Sequence, residues 1–186
     1  MRRRKYSIVF ITVLMVMVNG CELFRGPKQT GEIVLSSQMY GTDSYYLFGY
    51  SYEKEDYFRY PYQGEPVPDI INEGIRVLEG GVVKVLPGFN TPGLTNGFVL
   101  LETFQGLDQA RNFYKAYTEV PDGLQYEIVS DTVELYQVWV QKTSMGKYVK
   151  LLIKDIQDYE GETGAKYNEV TMEYTYQPDG TKTFPD

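Results

Sequence analysis

The sequence contains no histidine and a single cysteine, Cys21, among its 186 residues. Without histidine the chain cannot build a Ser-His-Asp triad, a Cys-His dyad or a zinc site based on His and Cys ligands. Pairs of carboxylates could still carry glycosidase chemistry, but no pair stands out among the 25 acidic residues. We therefore expect that the protein is not an enzyme and has no metal site of its own.

Basic residues are scarce beyond the N-terminus. Four of the 18 Lys and Arg residues occupy positions 2–5, so the rest of the chain carries 14 basic against 25 acidic residues, a net charge of −11. Such a surface repels nucleic acid and keeps a tethered domain in solution. We expect no nucleic-acid partner.

The apolar run after the basic N-terminus is short. It covers residues 6–18, fewer than the roughly 20 residues that a membrane-spanning helix needs but the usual length for a signal peptide. Val18-Asn19-Gly20 leads directly into Cys21, and this segment resembles a bacterial lipoprotein signal with its lipobox. The resemblance implies removal of residues 1–20 and acylation of Cys21, for example with palmitate. The alternative is an unmodified cysteine after an ordinary secretion signal.

Acyl chains on Cys21 would make the membrane a partner of this protein, since two or more chains form a stable anchor. We expect a lipid-anchored protein of the cell envelope, on the bacterial outer membrane or the cell surface. Residues 21–30 would be the lipidated tether, because they contain little apolar surface and a Gly-Pro pair. Residues 31–186 have the length of one domain.

Short apolar segments separated by turn residues dominate residues 31–186, a pattern typical of antiparallel strands. One segment has helical spacing: it begins at Asp108, a candidate N-cap, and runs towards Val120, just before a proline. The predicted fold class is mostly β, a single antiparallel β-sandwich or curved-sheet domain with one helix at about residues 108–120. The predicted strands are 32–36, 45–52, 75–78, 82–86, 98–104, 125–129, 133–141, 148–156 and 170–177.

The last of these strands has the clearest alternation of apolar and polar residues. The set expected to be buried is Val170, Met172, Tyr174 and Tyr176, and the set expected to face solvent is Glu169, Thr171, Glu173, Thr175 and Gln177. Two short turns complete the hairpin predictions: Glu79-Gly80-Gly81, and Ser144-Met145-Gly146.

Tyrosine accounts for 18 of the 28 aromatic residues, and its ring suits half-buried strands and stacking surfaces equally well. Residues 57–68 combine prolines and glycine with four aromatic rings, and we predict a loop there. The four rings, which strand alternation does not explain, are candidates for ligand binding: Tyr57, Phe58, Tyr60 and Tyr62. A loop of this kind could dock a surface protein or stack on a glycan.

Two C-terminal blocks carry a family resemblance: GKYVKLLI at 146–153 and EYTYQPDGTKTF at 173–184. In this order and near this spacing they resemble the closing hairpin of HmuY-like lipoproteins, which are haem-capturing proteins of Bacteroidetes. The resemblance covers roughly a quarter of the chain. It implies a β-rich fold, haem as the cofactor and haem or an outer-membrane receptor as the partner.

Family members hold haem iron through axial histidines, or through methionine in some relatives, and only the second option exists here. A thioether or a tyrosinate can ligate haem iron. Met39 and Met145 lie in predicted turns and are the methionine candidates for ligand binding, whereas Met172 is expected in the core. Two hypotheses follow: a haem-binding lipoprotein that works without histidine, and a non-enzymatic interaction or glycan-binding module that has no haem site.

Overall fold

The computed structural model describes residues 26–185. The predicted signal segment, the lipobox and Cys21 lie outside the described residues. Within them the chain forms eleven β-strands and one α-helix. In chain order these are β1 (Thr30–Ser36), β2 (Leu47–Ser51), β3 (Asp56–Tyr60), β4 (Ile71–Asn72), β5 (Ile75–Glu79), β6 (Val82–Leu86), β7 (Phe89–Asn90), β8 (Gly97–Thr103), α1 (Leu107–Ala116), β9 (Gln137–Lys142), β10 (Tyr148–Glu160) and β11 (Lys166–Gln177).

Five strands form the central sheet, in the order β1-β11-β10-β9-β8, and every neighbouring pair is antiparallel. Three two-stranded sheets accompany it: β2–β3, β4–β7 and β5–β6. Irregular registers interrupt β8 between Leu100 and Glu102 and β10 between Ile153 and Asp155, and bulges of this kind bend a strand. The prediction of a mostly β, antiparallel domain with one helix is confirmed, and the single large sheet matches its curved-sheet form.

One face of the central sheet carries the larger core, which packs against rings from β2. Alternating residues of β1, β10 and β11 point to this side, as a strand period of two requires. Its buried members include Ile33, Leu35, Tyr50, Tyr52, Leu151, Ile153, Met172, Tyr174 and Tyr176. Met172 is fully buried, so its predicted place in the core is confirmed.

The opposite face of the sheet packs against α1. Ala110 and Tyr114 of the helix contact Val138 and Leu152, and the Tyr114 hydroxyl lies 2.7 Å from the hydroxyl oxygen of Thr175. Thr175 is therefore buried under the helix, and Gln177 is buried where its side-chain amide donates to Thr183 O of the C-terminal segment. Their predicted exposure to solvent is wrong. The alternation of β11 is real, but the helix and the C-terminal segment cover the polar side of its C-terminal half.

The helix is shorter than predicted and begins differently. Gly106 occupies the N-cap position with extended backbone angles, while Asp108 lies in the first turn and makes no capping hydrogen bond. The helix ends at Ala116, where Tyr117 takes extended backbone angles, and the buried Lys150 Nζ donates to the carbonyl oxygens of Tyr114 (2.6 Å) and Tyr117 (2.7 Å). A cation at this end satisfies the last carbonyls and the helix dipole, and burial lowers the pKa of Lys150 to about 8.

Beyond the helix, residues that the sequence assigned to its last turn pair instead with the C-terminal segment. Val120 N donates to Lys182 O, and Phe184 N donates to Thr118 O, both at 2.9 Å. Val120 and Phe184 are buried together against Val140 and Tyr148. The apolar stripe of residues 107–120 is therefore divided between a helix and an extended segment.

Three strand predictions need correction. Residues 57–60 of the predicted loop belong to strand β3 (Asp56–Tyr60). Residues 125–129 make only isolated bridges, Phe98 with Glu127 and Asn90 with Val129. The strand predicted from 133 begins at Gln137, because Tyr136 has a φ of 64°, which is incompatible with a regular strand. The β5–β6 hairpin and the turn that joins β9 to β10 are confirmed.

Candidate functional site

Strand alternation on β3 separates the four aromatic residues that the sequence placed in one loop. Tyr57 lies opposite Tyr50, and their ring centroids are 5.1 Å apart. Its hydroxyl accepts a hydrogen bond from Val34 N at 3.1 Å, which satisfies a backbone donor of the edge strand β1. Tyr57 therefore attaches the β2–β3 hairpin to the central sheet rather than forming a free binding surface.

Phe58 and Tyr60 project to the other side of β3, where they lie opposite Gly49 and Leu47. A side chain at Gly49 would meet Ile70 O at 2.6 Å, so the backbone of β2 passes close to the segment before β4. This close approach brings the end of β3 next to Ile71. Phe58 is half-buried there, and Tyr60 lines an open cleft.

We call this cavity the Met39 cleft. It has a volume of about 340 Å³ and lies where β1 ends, β2 begins and β3 ends. Ligand sites usually have volumes of roughly 300–1,000 Å³. The lining residues are Met39, Tyr45, Tyr46, Leu47, Tyr60, Pro61, Ile71, Glu73 and Gly74.

The rim of the Met39 cleft is held in place by backbone pairing. Tyr40 and Tyr46 exchange two backbone hydrogen bonds, at 2.8 and 3.0 Å, and their rings stack with centroids 5.8 Å apart. Gly41 allows the tight turn between them, with a φ of 96° that other residues rarely adopt. The short loop therefore projects Tyr45 towards the cleft, with 60% of its surface exposed.

Met39 itself is accessible, with 47% of its surface exposed. The Arg76 guanidinium lies 3.8 Å from its sulfur, and Glu73 contributes an acidic group to the same rim. The cleft thus combines a thioether, three tyrosine rings and one charge of each sign. These are groups that can bind a flat, largely apolar ligand with polar edges.

A second cavity, the Tyr62 cleft, adjoins the first and shares Tyr60 and Pro61 with it. Its volume is about 310 Å³, and its lining residues are Arg59, Tyr60, Pro61, Tyr62, Gln63, Glu65, Pro66 and Val67. The Arg59 guanidinium carbon lies 3.6 Å from the centroid of the Tyr62 ring. Tyr60 and Pro61 form a ridge between two neighbouring open clefts.

A third cavity, of about 360 Å³, lies between β6 and the far end of the β10–β11 hairpin. Its wall carries two lysines, Lys84 and Lys166, and two acids, Asp158 and Glu160, beside the stacked rings of Tyr159 and Tyr167. Charges of both signs alternate there, and no residue singled out by the sequence lines it.

Met145, the other methionine candidate, lies far from the Met39 cleft. Met145 is 70% exposed and lies in the turn before Tyr148, and Tyr148 pairs with Gln177 on β11. Met39 lies just after Ser36, and Ser36 pairs with Glu169 on β11. These β11 positions are separated by about 26 Å at roughly 3.3 Å per residue. Met39 and Met145 therefore cannot ligate one iron atom together.

Several cleft residues were not among the sequence candidates. The sequence predicts Tyr45 and Tyr46 within a strand, and it predicts Arg59 and Glu65 within a loop. The adjacent pair Tyr45-Tyr46 after a glycine turn was the available signal, since exposed rings beside turns often mark binding sites. The approach of Ile71 and Glu73 depends on long-range pairing that periodicity does not reveal.

Neither a family model nor a curated protein matches this chain. Within residues 26–185 there is no cluster of three or more His, Cys, Asp or Glu side chains arranged to hold a metal ion. No helix in this part of the chain has the length and apolar character needed to cross a membrane.

Proposed function

We propose that this protein is a lipid-anchored extracytoplasmic binding protein whose Met39 cleft takes haem or a related flat ligand without histidine ligation. The observation that supports this most directly is the convergence of Met39 with Tyr45, Tyr46 and Tyr60 on one cavity. Methionine and tyrosine are both able to ligate haem iron in a protein that lacks histidine.

The residues of the cleft fit such a ligand chemically. Met39 offers an exposed thioether, and a tyrosine hydroxyl of the cleft offers the alternative oxygen ligand, both known for haem iron. Bound haem would supply an iron centre that Met39 or one of these tyrosines would hold. The neighbouring rings would cover the apolar macrocycle, and Arg76 beside the Met39 sulfur would balance a carboxylate on its edge.

The position of the cleft suits a tethered protein. Gln29 O accepts a hydrogen bond from Tyr176 N at 2.6 Å, and the Lys28 ammonium lies 3.5 Å from a Glu55 carboxylate oxygen, so the tether enters where β1 begins. The Met39 cleft lies beyond the opposite end of β1, about 20 Å away by strand length. An acylated Cys21 would thus attach the protein near the end of β1 that lies opposite the cleft.

The test is a haem titration of the purified protein, followed by absorbance in the oxidised and reduced states. We expect a saturable shift of the Soret band, and we expect Met39→Leu to weaken binding at least about tenfold, or to change the ligation spectrum, because it removes the thioether but keeps an apolar side chain of similar size.

Met145→Leu is the matched control, since Met145 is also an exposed turn methionine but lies at the other end of the sheet. It should leave the titration unchanged. A flat titration with the unmodified protein in both oxidation states would refute haem binding. The protein would then be better described as an interaction module without a haem site.

A further inference from the structure

Tyr159 and Tyr167 form a stacked pair at the far end of the β10–β11 hairpin. They lie directly opposite each other in the register of the two strands. Their ring centroids are 5.3 Å apart, and the angle between the ring planes is 19°. Side chains that face each other across antiparallel strands stay close because the backbone ladder fixes the distance between their Cβ atoms. The fold therefore holds these two phenols together.

Both rings of this pair can be reached from solvent. Tyr159 is 39% exposed, and Tyr167 is half-buried. Both line the open cavity of about 360 Å³ between β6 and this hairpin. The turn that joins them, residues 161–165, is exposed almost throughout. A small oxidant can therefore approach the pair, and the exposed turn leaves the rings room to adjust.

Two other tyrosine pairs within residues 26–185 stack with nearly parallel rings, and both are more enclosed. Tyr52 and Tyr176 lie 5.7 Å apart, but both are buried in the core, where close packing restricts the rings. Tyr40 and Tyr46 lie 5.8 Å apart, and the ring of Phe48 packs against both of them. The hairpin pair therefore combines the shortest stacked separation with access to solvent.

Paired phenols couple when each of them loses an electron. One-electron oxidation and loss of the phenolic proton turn each tyrosine into a phenoxyl radical, whose unpaired electron is shared with the ring carbons next to the C–O carbon. Two such radicals join at these carbons, and the hydrogen on each joined carbon then moves to the oxygen, which restores both phenols. The net change is one new carbon–carbon bond, two electrons passed to the oxidant and two protons released to water.

We propose that Tyr159 and Tyr167 are the site at which one-electron oxidants cross-link this protein internally, through a dityrosine bond that closes the far end of the β10–β11 hairpin. The bond would hold the two strands together beside an exposed turn, and exposed turns are the preferred sites of proteolytic cleavage. The proposal does not depend on haem binding, because neither tyrosine lines the Met39 cleft.

The experiment oxidises dilute purified protein with photoexcited tris(bipyridine)ruthenium and persulfate, which remove single electrons from phenols. The monomer is separated from cross-linked oligomers under denaturing conditions and digested with trypsin. Cleavage after Lys154, Lys166 and Lys182 places the two tyrosines on different peptides, 155–166 and 167–182. We expect these peptides to be joined in the monomer, with a mass two hydrogen atoms below their sum. Fragment spectra should place the bond at the first residue of the second peptide.

Two variants test whether this pair is the main site of coupling. Tyr159→Phe keeps an aromatic ring but removes one phenol. We expect it to lower the dityrosine fluorescence of the monomer at least about fivefold, because coupling requires both reacting groups to be held together. Tyr45→Phe is the matched control, since Tyr45 is more exposed, at 60%, but lies in a different loop. It should leave the fluorescence unchanged.

Oxidation in concentrated urea tests whether the fold, rather than the short sequence separation, brings the rings together. We expect the joined peptides to become at least about fivefold less abundant in the unfolded monomer, since the strand register no longer aligns the rings. The proposal is overturned if the oxidised monomer contains no dityrosine or if the bond maps to another tyrosine pair. It is also overturned if Tyr45→Phe lowers the fluorescence as much as Tyr159→Phe, or if the unfolded protein forms this bond as readily as the folded one.

Discussion

The core and the clefts use the same residue type in opposite ways. In the core, tyrosine rings are buried and several of their hydroxyls are paired: Tyr52 donates to Gln141 Oε1 at 3.0 Å, and the hydroxyls of Tyr50 and Tyr174 lie 3.3 Å apart. At the clefts, Tyr45 and Tyr62 leave about half of their surface open. A tyrosine therefore stabilises the fold where its ring and hydroxyl are both enclosed, and it is available for binding where much of its ring remains exposed.

The strongest test of this comparison replaces one ring from each region. Tyr52→Ala should lower the free energy of unfolding by about 3–5 kcal/mol, the usual cost of deleting a buried aromatic ring, because Tyr52 is fully buried and packs against Tyr50, Tyr174 and Tyr176. Tyr62→Ala should change it by no more than about 0.5 kcal/mol, as expected for a surface substitution. Urea unfolding measures both values, and equal losses would remove the distinction between core and cleft tyrosines.

The second test uses alkaline pH, which acts on the buried phenols. Burial, the largest cause in each case, raises the pKa of Tyr50, Tyr52, Tyr114 and Tyr176 above the ordinary value of 10. A group with a raised pKa in the folded state stabilises that state below its unfolded pKa and loses this contribution as the pH rises. We therefore expect stability to fall steeply above about pH 10, where unfolded tyrosines ionise.

Urea midpoints measured at several pH values between neutral and strongly alkaline check this expectation. An ultraviolet titration of the phenolate band should show that Tyr50, Tyr52, Tyr114 and Tyr176 ionise only as the protein unfolds. A single titration of all 18 tyrosines near pH 10 would contradict the pairing and burial described for the core.

The smallest expected effect concerns Asp69, a partly buried acid beside the core tyrosines. Desolvation raises the pKa of Asp69, although the hydrogen bond from Tyr52 N, at 3.0 Å, acts in the opposite direction. Because the pKa of Asp69 is higher in the folded state than in the unfolded state, its protonated form stabilises the folded state at pH values below the unfolded-state pKa. This contribution is lost as the pH rises through the folded-state pKa. Asn at this position can still accept from Tyr52 N.

Asp69→Asn should therefore change the free energy of unfolding at neutral pH by less than about 1 kcal/mol. Relative to the variant, the unmodified protein should become more stable as the pH falls from neutral towards 4. Urea unfolding of both proteins at the two pH values gives this difference directly. An identical pH dependence would show that Asp69 is not the titrating group.

Some site features were accessible from the sequence and others were not. The sequence predicts binding roles for Met39, Tyr60 and Tyr62, because turn methionines and clustered rings are common at binding sites. The structure places all three at the two clefts. The same reasoning predicts a binding role for Tyr57, but its hydroxyl accepts a hydrogen bond from Val34 N. Nothing in the residue types near Tyr57 distinguishes these roles, because the decisive contact crosses 23 positions of sequence.

By itself the sequence determined the antiparallel β character, the core position of Met172 and the β5–β6 and β9–β10 hairpins, since these follow from local periodicity and turn chemistry. The end of the helix depends on tertiary contacts, since Lys150 donates to its last carbonyls from a distant strand. The tertiary structure likewise decided which tyrosines are enclosed and which remain open at the clefts. Local patterns fix which elements form, whereas burial and pairing between distant segments depend on how the whole chain packs.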